Sequence, residues 1–292
     1  IARRAALLVR VCEDAYQHLL QQDPHAIAPV YIIGSEVPIP GGAKEANSDV
    51  SITKVDDFKA SVEAFQQAFQ SAGLEKQWND VIAVVVQPGM EEKDDGCSEY
   101  DRVKAAELMA SIKEYDHLVF EGHSSDYQTK IKLRELVEDG VAILKVGPAL
   151  TYAMREALFA LSYIEDITFH GREAHASLFR QTLEQAMQEN PSKWQSHYHG
   201  KENNVWIKRQ FSFSARCRYY MGNPKVASAR ELLIANLRKE GISLALLSQF
   251  MPIQYQRVRE GILINDPEAL ILDHIGDTIQ DYLYATRQKE LF

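Results

Sequence analysis

The sequence has few cysteines, no long apolar run and no excess of basic residues. Its three cysteines lie far apart, which gives no zinc-ribbon or thioredoxin pattern and is expected in a reducing cytoplasm. The longest aliphatic run, Val81–Val86, suits a buried strand but is too short for a membrane span. The formal net charge of −9 argues against a general nucleic-acid binder, although it leaves room for a local basic pocket.

The common nucleotide-binding motifs are also missing. The chain carries no Walker phosphate loop, no Rossmann glycine fingerprint and no protein-kinase signature. With 46% hydrophobic and 25% charged residues, it fits one large soluble domain, or a domain with an appendage. Because the first residue is Ile1 rather than Met, we expect the chain to begin inside a longer protein.

Apolar strands alternate with amphipathic helices along the first half of the chain. Strands are predicted at 30–34, 81–87, 117–121 and 141–146, and helices at 1–20, 56–72, 98–115, 129–139 and from 148 onward. Such alternation implies a parallel sheet covered by helices. The polar strand ends favour an α/β fold of the TIM-type (β/α) barrel. We expect about the C-terminal four barrel strands here, with the others upstream of Ile1.

The pattern changes to helices beyond about residue 165. Helices are predicted at 173–188, 225–239, 244–259 and 267–284, with an irregular, aromatic-rich stretch at 191–225. We therefore predict two domains. Residues 1–165 form the barrel portion, and residues 166–292 form a helical C-terminal extension that packs on the barrel.

Polar residues gather where the third predicted strand ends. His123 and Ser125 follow that strand, and Asp126 comes next. In an α/β barrel, such strand-end positions carry ligands and chemistry. His123 is therefore a candidate metal ligand, general base or hydrogen-bond donor, or else a structural histidine that closes the strand. Ser125 and Asp126 are equally typical of a helix N-cap.

The fourth predicted strand ends at Lys145, followed by a glycine–proline turn. If Lys145 points into the barrel mouth, its ammonium suits an anionic substrate or a Schiff base; otherwise it forms a structural ion pair with Glu36 or Glu121. Gly147 and Thr151 frame a helix N-terminus, where free N–H groups favour phosphate. The alternative for Thr151 is an ordinary first-turn threonine.

A glycine-rich loop follows the first predicted strand. It holds Glu36, Gly41 and Gly42. Either the carboxylate and the glycine turn surround a sugar phosphate, or the loop only needs glycine for its positive φ.

Two weaker patterns lie in the second half of the chain. His197 and His199 are half of a possible metal site, without a third ligand at motif spacing. Arg216 and Arg218 either reach a phosphate or lie on a solvated surface.

Several of these segments together resemble a known family. The resemblance is carried by residues 33–42, 86–89, 120–128, 144–151, 195–200, 218–220 and 248–255. They look like the Z subunit of class II tagatose-1,6-bisphosphate aldolase, whose members are also described as tagatose-6-phosphate kinases. The resemblance implies a non-catalytic, cytoplasmic subunit that supports the activity and stability of the aldolase's catalytic subunit. The pathway it implies is galactitol or N-acetylgalactosamine catabolism.

The Z subunit is itself similar to the catalytic class II aldolases. In those enzymes a histidine at the position of His123 binds zinc, and the turn at the position of 145–151 binds phosphate. A second zinc histidine corresponds to Pro88, which cannot bind a metal, and the asparagine of the phosphate turn corresponds to Gly147. Since a class II aldolase needs its metal to stabilise the enediolate, independent catalysis is not expected.

The resemblance and the strand ends together define the predicted site. The ligand or phosphate set is Glu36, Gly41, Gly42, Ser125, Lys145, Gly147 and Thr151, with His123 as the metal candidate. The expected partners are the catalytic aldolase subunit and a sugar phosphate, with neither nucleic acid nor a membrane. The alternative is a sugar-phosphate enzyme in its own right, either a zinc-dependent aldolase or a tagatose-6-phosphate kinase.

Overall fold

Two compact units, each with its own hydrophobic core, make up the described part of the protein. The computed structural model describes residues 1–34, 50–172 and 175–288. The first unit takes the described residues up to 91 and those from 97 to 146; the second takes 92–96 and the residues from 147 onward. The domain boundary predicted after residue 165 stays a prediction.

A parallel sheet forms the centre of the first unit. The strands of the described residues are β1 (Tyr31–Ile33), β2 (Val81–Val86), β3 (Glu91–Lys93), β4 (Gly96–Ser98), β5 (Val119–Gly122) and β6 (Val141–Leu144). The strands β1, β2, β5 and β6 pair in that order, and every pair is parallel. This confirms the predicted α/β class with a four-stranded parallel sheet. The small sheet of β3 and β4 was not predicted.

The described residues of the first unit form the helices α1 (Ala2–Gln22), α2 (Val55–Ser71), α3 (Ala106–Ser111) and α4 (Lys130–Glu138). Short 3₁₀ turns lie at Gln77–Asp80 and Ile112–Glu114. The buried side chains of α2 are all apolar and recur at helical spacing, as an amphipathic helix requires: Phe58, Val62, Phe65 and Phe69.

The helix predicted at 98–115 is much shorter in the structure. Its first turns are replaced by a loop, because the Asp101 carboxylate accepts hydrogen bonds from the backbone N–H groups of Val103 and Lys104. Such a local side-chain bond competes with the helical bonds of the same backbone. The regular α-helix therefore starts only at Ala106.

The two faces of the sheet have different environments. Val84 and Phe120, which are paired, belong to the core that also includes buried residues of α1 to α4. Val85 and Glu121 are the next pair, and Ile143 is the partner of Glu121 on β6. Because successive side chains of a strand point to opposite faces, these three form one row on the other face.

The second unit is helical in its described residues. Its helices are α5 (Ala149–Thr168), α6 (Phe179–Glu189), α7 (Glu202–Phe211), α8 (Pro224–Glu240), α9 (Leu244–Phe250), α10 (Pro252–Arg259) and α11 (Pro267–Ala285). Two 3₁₀ turns lie at Pro191–Lys193 and Arg216–Tyr220. In the described part of the chain, we find no helix with both the length and the apolar character that a membrane crossing needs.

Three details of this unit differ from the sequence predictions. The stretch expected to be irregular contains α7. The helix predicted at 244–259 is divided at Met251, because the residue before a proline is pushed out of the helical conformation. The helix predicted at 173–188 begins only at Phe179, after Leu178 with a left-handed φ of 53°.

A fully buried carboxylate links α5, α8 and the segment that precedes α6 in the second unit. Glu165 of α5 has 0% of its surface exposed. It accepts hydrogen bonds from the Ser177 hydroxyl at 2.5 Å and from the Asn236 amide on α8 at 2.7 Å. The Ser177 backbone N–H donates to both carboxylate oxygens. These hydrogen bonds offset the desolvation of the buried acid.

We predict that Glu165→Ala destabilises the protein by about 3 kcal/mol, because it leaves buried donors without an acceptor and opens a cavity. Asp166→Ala is the matched control on the same helix. Its carboxylate pairs with Arg180 and is about one third exposed, so the expected loss is below about 1 kcal/mol. Urea unfolding followed by circular dichroism measures both. Equal losses in the two variants would show that the buried hydrogen bonds of Glu165 contribute no more to the free energy of unfolding than an exposed ion pair does.

Candidate functional site

The carboxyl ends of the parallel strands border an open cleft of ≈ 630 Å³ in the first unit. Strands that run parallel in neighbouring positions end at the same edge of a sheet, where α/β proteins usually bind their ligands. We call this the sheet-edge cleft. The residues that line the cleft include Ile32, Val85, Glu121, His123, Ile143 and Lys145. His123 and Lys145, both selected from the sequence, are thus brought together.

A buried acid–histidine pair lies in the wall of the sheet-edge cleft. The Nε2 atom of His123 is 2.7 Å from Oε1 of Glu121, and both side chains are buried. The two residues share a face because they are two positions apart at the end of β5. The carboxylate fixes the orientation of the imidazole ring.

Neighbouring charges act on His123 in opposite directions. Burial lowers the pKa of His123 below its ordinary value, since a charged imidazolium is poorly solvated there. The hydrogen bond to Glu121 and its negative charge raise this pKa, while the positive charge of Lys145 lowers it. The balance is a lowered pKa, so the ring is mainly neutral at pH 7.

Ser125 joins the ends of two strands. Its hydroxyl donates a hydrogen bond to the backbone carbonyl of Lys145 at 2.8 Å, and the Lys145 N–H donates to the carbonyl of Gly122 at 3.1 Å. These bonds hold the loop after β5 against the end of β6. The Lys145 side chain stays exposed. A ligand-binding role for Ser125 and Lys145 stays a prediction.

The loop after β5 contains two strained residues. Ser124 and Tyr127 have left-handed φ values of 58° and 61°, a region that residues other than glycine rarely occupy. Gln128 anchors the loop, because its amide accepts from the Tyr100 N–H and donates to the Ser98 carbonyl. Strained backbone of this kind concentrates at functional sites and is held there by surrounding bonds.

The turn that contains Pro88 is held by its neighbour Gln87. The side-chain oxygen of Gln87 accepts hydrogen bonds from the N–H groups of Gly89 and Met90. Its backbone N–H donates to the Thr53 hydroxyl at 2.9 Å. Gly89 has a φ of +95°, and a Cβ there would lie 3.0 Å from an atom of Ile52. The turn is therefore well defined. The side chain of Pro88 within it has no atom that could bind a metal.

The described residues of the sheet-edge cleft do not fit a zinc site. Pro88 offers no ligand atom, and one ring nitrogen of His123 faces Glu121. Across residues 1–34, 50–172 and 175–288, no three His, Cys, Asp or Glu side chains lie close enough together to hold a metal ion. A role of His123 as a metal ligand stays a prediction.

The other predicted site residues belong to the second unit or fall outside the described residues. Gly147 and Thr151 belong to the second unit, where the Thr151 hydroxyl donates to the Pro148 carbonyl at 2.9 Å, as in an ordinary first helical turn. The glycine-rich loop with Glu36, Gly41 and Gly42 lies outside the described residues. No ligand contact of these residues is tested, so their roles stay predictions.

Glu121 is the site residue that sequence reasoning undervalued. The sequence alone predicts it only as a structural ion-pair partner of Lys145. Two signals identify it: a charged residue in an otherwise apolar strand, and a separation of two from His123. A charge in such a strand is rarely buried without a partner.

We predict opposite shifts of the His123 pKa in two variants. Glu121→Gln lowers it, because a stabilising charge is removed, and Lys145→Gln raises it, because a repelling charge is removed. NMR titration of the ring protons measures both, with Lys104→Gln as an exposed control. Shifts in the same direction would contradict the assigned electrostatics.

The lowered pKa of His123 also predicts the direction in which the free energy of unfolding changes with pH. Below the ordinary histidine pKa of 6.5, the unfolded chain binds a proton that the folded His123 resists. The free energy of unfolding therefore rises with pH through the window below 6.5, and His123→Gln should flatten that rise. Urea unfolding across this window checks it, and an equal slope in the variant would contradict it.

Comparison with known proteins places the chain in a family. The family model described as D-tagatose-1,6-bisphosphate aldolase subunit GatZ/KbaZ-like matches residues 1–287. A crystal structure of a probable tagatose 6 phosphate kinase from Sinorhizobium meliloti 1021 is similar, with 37% sequence identity and a TM-score of 0.84. The match covers 97% of this chain and 67% of that chain. The chain therefore belongs to the GatZ/KbaZ-like family of D-tagatose-1,6-bisphosphate aldolase subunits.

Proposed function

We propose that this chain is a non-catalytic subunit of a class II tagatose-1,6-bisphosphate aldolase. It would sustain the activity and stability of the catalytic subunit in the cytoplasm, in galactitol or N-acetylgalactosamine catabolism. A partner that binds only the folded form of the catalytic subunit stabilises it by mass action. Family membership supports the aldolase connection.

The observation that carries this proposal is the Glu121–His123 pair. In the catalytic aldolases that the chain resembles, a histidine at this position binds zinc. Here its Nε2 atom is 2.7 Å from a carboxylate oxygen, and the comparable second ligand position is Pro88. This arrangement supports a cleft that keeps the shape of an aldolase site without its metal chemistry.

The same proposal includes the architecture. We place the four parallel strands in a TIM-type barrel, because the strands of this sheet follow one another in the sheet in the same order as along the chain. The row of Val85, Glu121 and Ile143 would then face the barrel interior, and Lys145 its mouth. A sugar phosphate is the ligand that this cleft would hold, with Lys145 as the exposed cation.

We predict that the purified chain prolongs the half-life of the catalytic subunit at elevated temperature, on the order of tenfold at saturating concentration. The measurement is residual cleavage of tagatose 1,6-bisphosphate over time, with and without the chain. Serum albumin at equal concentration controls for unspecific protection. His123→Gln should protect as well as the wild type, because the proposed role needs no chemistry at this ring.

Other outcomes favour the alternative functions. No change in half-life or turnover would contradict the subunit role. Cleavage of tagatose 1,6-bisphosphate by the chain alone, lost in His123→Gln, would favour an independent aldolase. ATP consumption with tagatose 6-phosphate would favour a kinase, which is how the similar Sinorhizobium meliloti structure is described.

A further inference from the structure

A buried arginine in the second unit has an unused hydrogen-bond donor. Arg155 of α5 is 4% exposed, and its Nη2 atom is buried without a hydrogen-bond partner among the described residues. Its guanidinium carbon lies 4.2 Å from the ring centre of Tyr152, 5.2 Å from that of Phe159 and 5.7 Å from that of Phe211. The ion is thus surrounded by aromatic rings.

Aromatic rings alone compensate poorly for a buried cation. The attraction between a guanidinium and a ring face is smaller than the free energy of removing the ion from water. A buried donor that stays unpaired adds a further penalty. A negatively charged group at Nη2 would offset both, which makes Arg155 a candidate anion site.

Two further arginines lie on the segment that packs against α5. This segment is the 3₁₀ turn Arg216–Tyr220, and it contacts α5 directly. Its Cys217 is fully buried, and the charges of Arg155 and Arg218 both oppose the effect of burial on the pKa of that thiol. Arg155 and Arg218 therefore both lie near the buried Cys217 thiol.

The backbone of this segment is held in an unusual conformation. Ala215 has a left-handed φ of 45°. The Tyr198 hydroxyl is 3.0 Å from the Ser214 hydroxyl and accepts a hydrogen bond from the Arg216 N–H. Arg218 donates to the carbonyl of Ala215 at 3.1 Å. These bonds fix Arg216 and Arg218 on the turn next to α5.

We propose that the second unit binds a phosphate group at Arg155, with Arg218 and Arg216 adding positive charge. Guanidinium groups present paired N–H donors that match phosphate oxygens. Two cations near one buried side chain, Arg155 and Arg218 at Cys217, favour a dianion over a carboxylate. Phe211 contacts the Arg155 guanidinium and Tyr219 contacts those of Arg216 and Arg218; the two residues are 39% and 44% exposed, and their rings would move aside for the ligand. This site is independent of the proposed aldolase role.

Binding of inorganic phosphate to the isolated full chain tests the proposal. Calorimetry and thermal unfolding are compared in phosphate and in chloride at equal ionic strength. We expect saturable phosphate binding with an increase in the unfolding midpoint. Arg155→Met should weaken binding at least tenfold and Arg218→Gln several-fold. Arg238→Gln is the matched control, because it removes an exposed arginine of the same unit that pairs with Asp266.

The stability of Arg155→Met separates ligand binding from a purely structural role. Without phosphate, this variant should unfold at the same midpoint as the wild type or higher, because an uncompensated charge is gone. A lower midpoint with unchanged phosphate affinity would overturn the proposal. If the variant does not fold, Arg218→Gln provides the test.

Two more comparisons identify the ligand. Absence of saturable binding, or acetate binding as tight as phosphate, would overturn the proposal. Hexose 6-phosphate that binds at least tenfold more tightly than inorganic phosphate would assign the site to a phosphorylated sugar. Equal affinities would assign it to the free ion, and both results support a phosphate site. No aldolase is present in these assays, so their failure leaves the proposed function untouched.

Discussion

Parallel pairing of four strands in chain order is the constraint on which the first unit depends. It places every carboxyl strand end at one edge, and the strand period of two sends alternate side chains to opposite faces. One face, with Val84 and Phe120, is buried in the core shared with α1 to α4. The row of Val85, Glu121 and Ile143 on the other face therefore lines the cleft. A shift in register by one residue would exchange these two sets.

The electrostatics of the sheet-edge cleft follow from that geometry. Because Glu121 and His123 share a face, the buried acid finds its partner within the same strand end. Close packing at this edge requires glycine at position 34, because a Cβ there would lie 2.7 Å from the Cβ of Val85. The imidazole is therefore held between a fixed carboxylate and the exposed Lys145. Its protonation responds to burial and to these two neighbours, which the fold positions.

The sequence predicted the regular features and missed those that depend on single contacts. The alternation of apolar strands and amphipathic helices was sufficient to predict the parallel sheet. The positions of His123 and Lys145 at strand ends were sufficient to predict that they lie at the same cleft. The helix α7 was missed because its aromatic residues gave no clear period, and the start of α3 was missed because it depends on the Asp101 side chain. Arg155 could not be identified, since a lone arginine in a helix is usually exposed.

The two units hold buried ions in contrasting ways, and this bears on how each responds to ligands. The Glu121–His123 pair contains its own compensation, so the first unit tolerates an empty cleft with little penalty. Arg155 is compensated among the described residues by aromatic rings, which leave its Nη2 atom unsatisfied. A group with an internal partner is stable without a ligand, whereas a group without one gains most from binding. Dependence of stability on anions should therefore originate in the helical unit, although the resemblance to aldolases directs attention to the sheet.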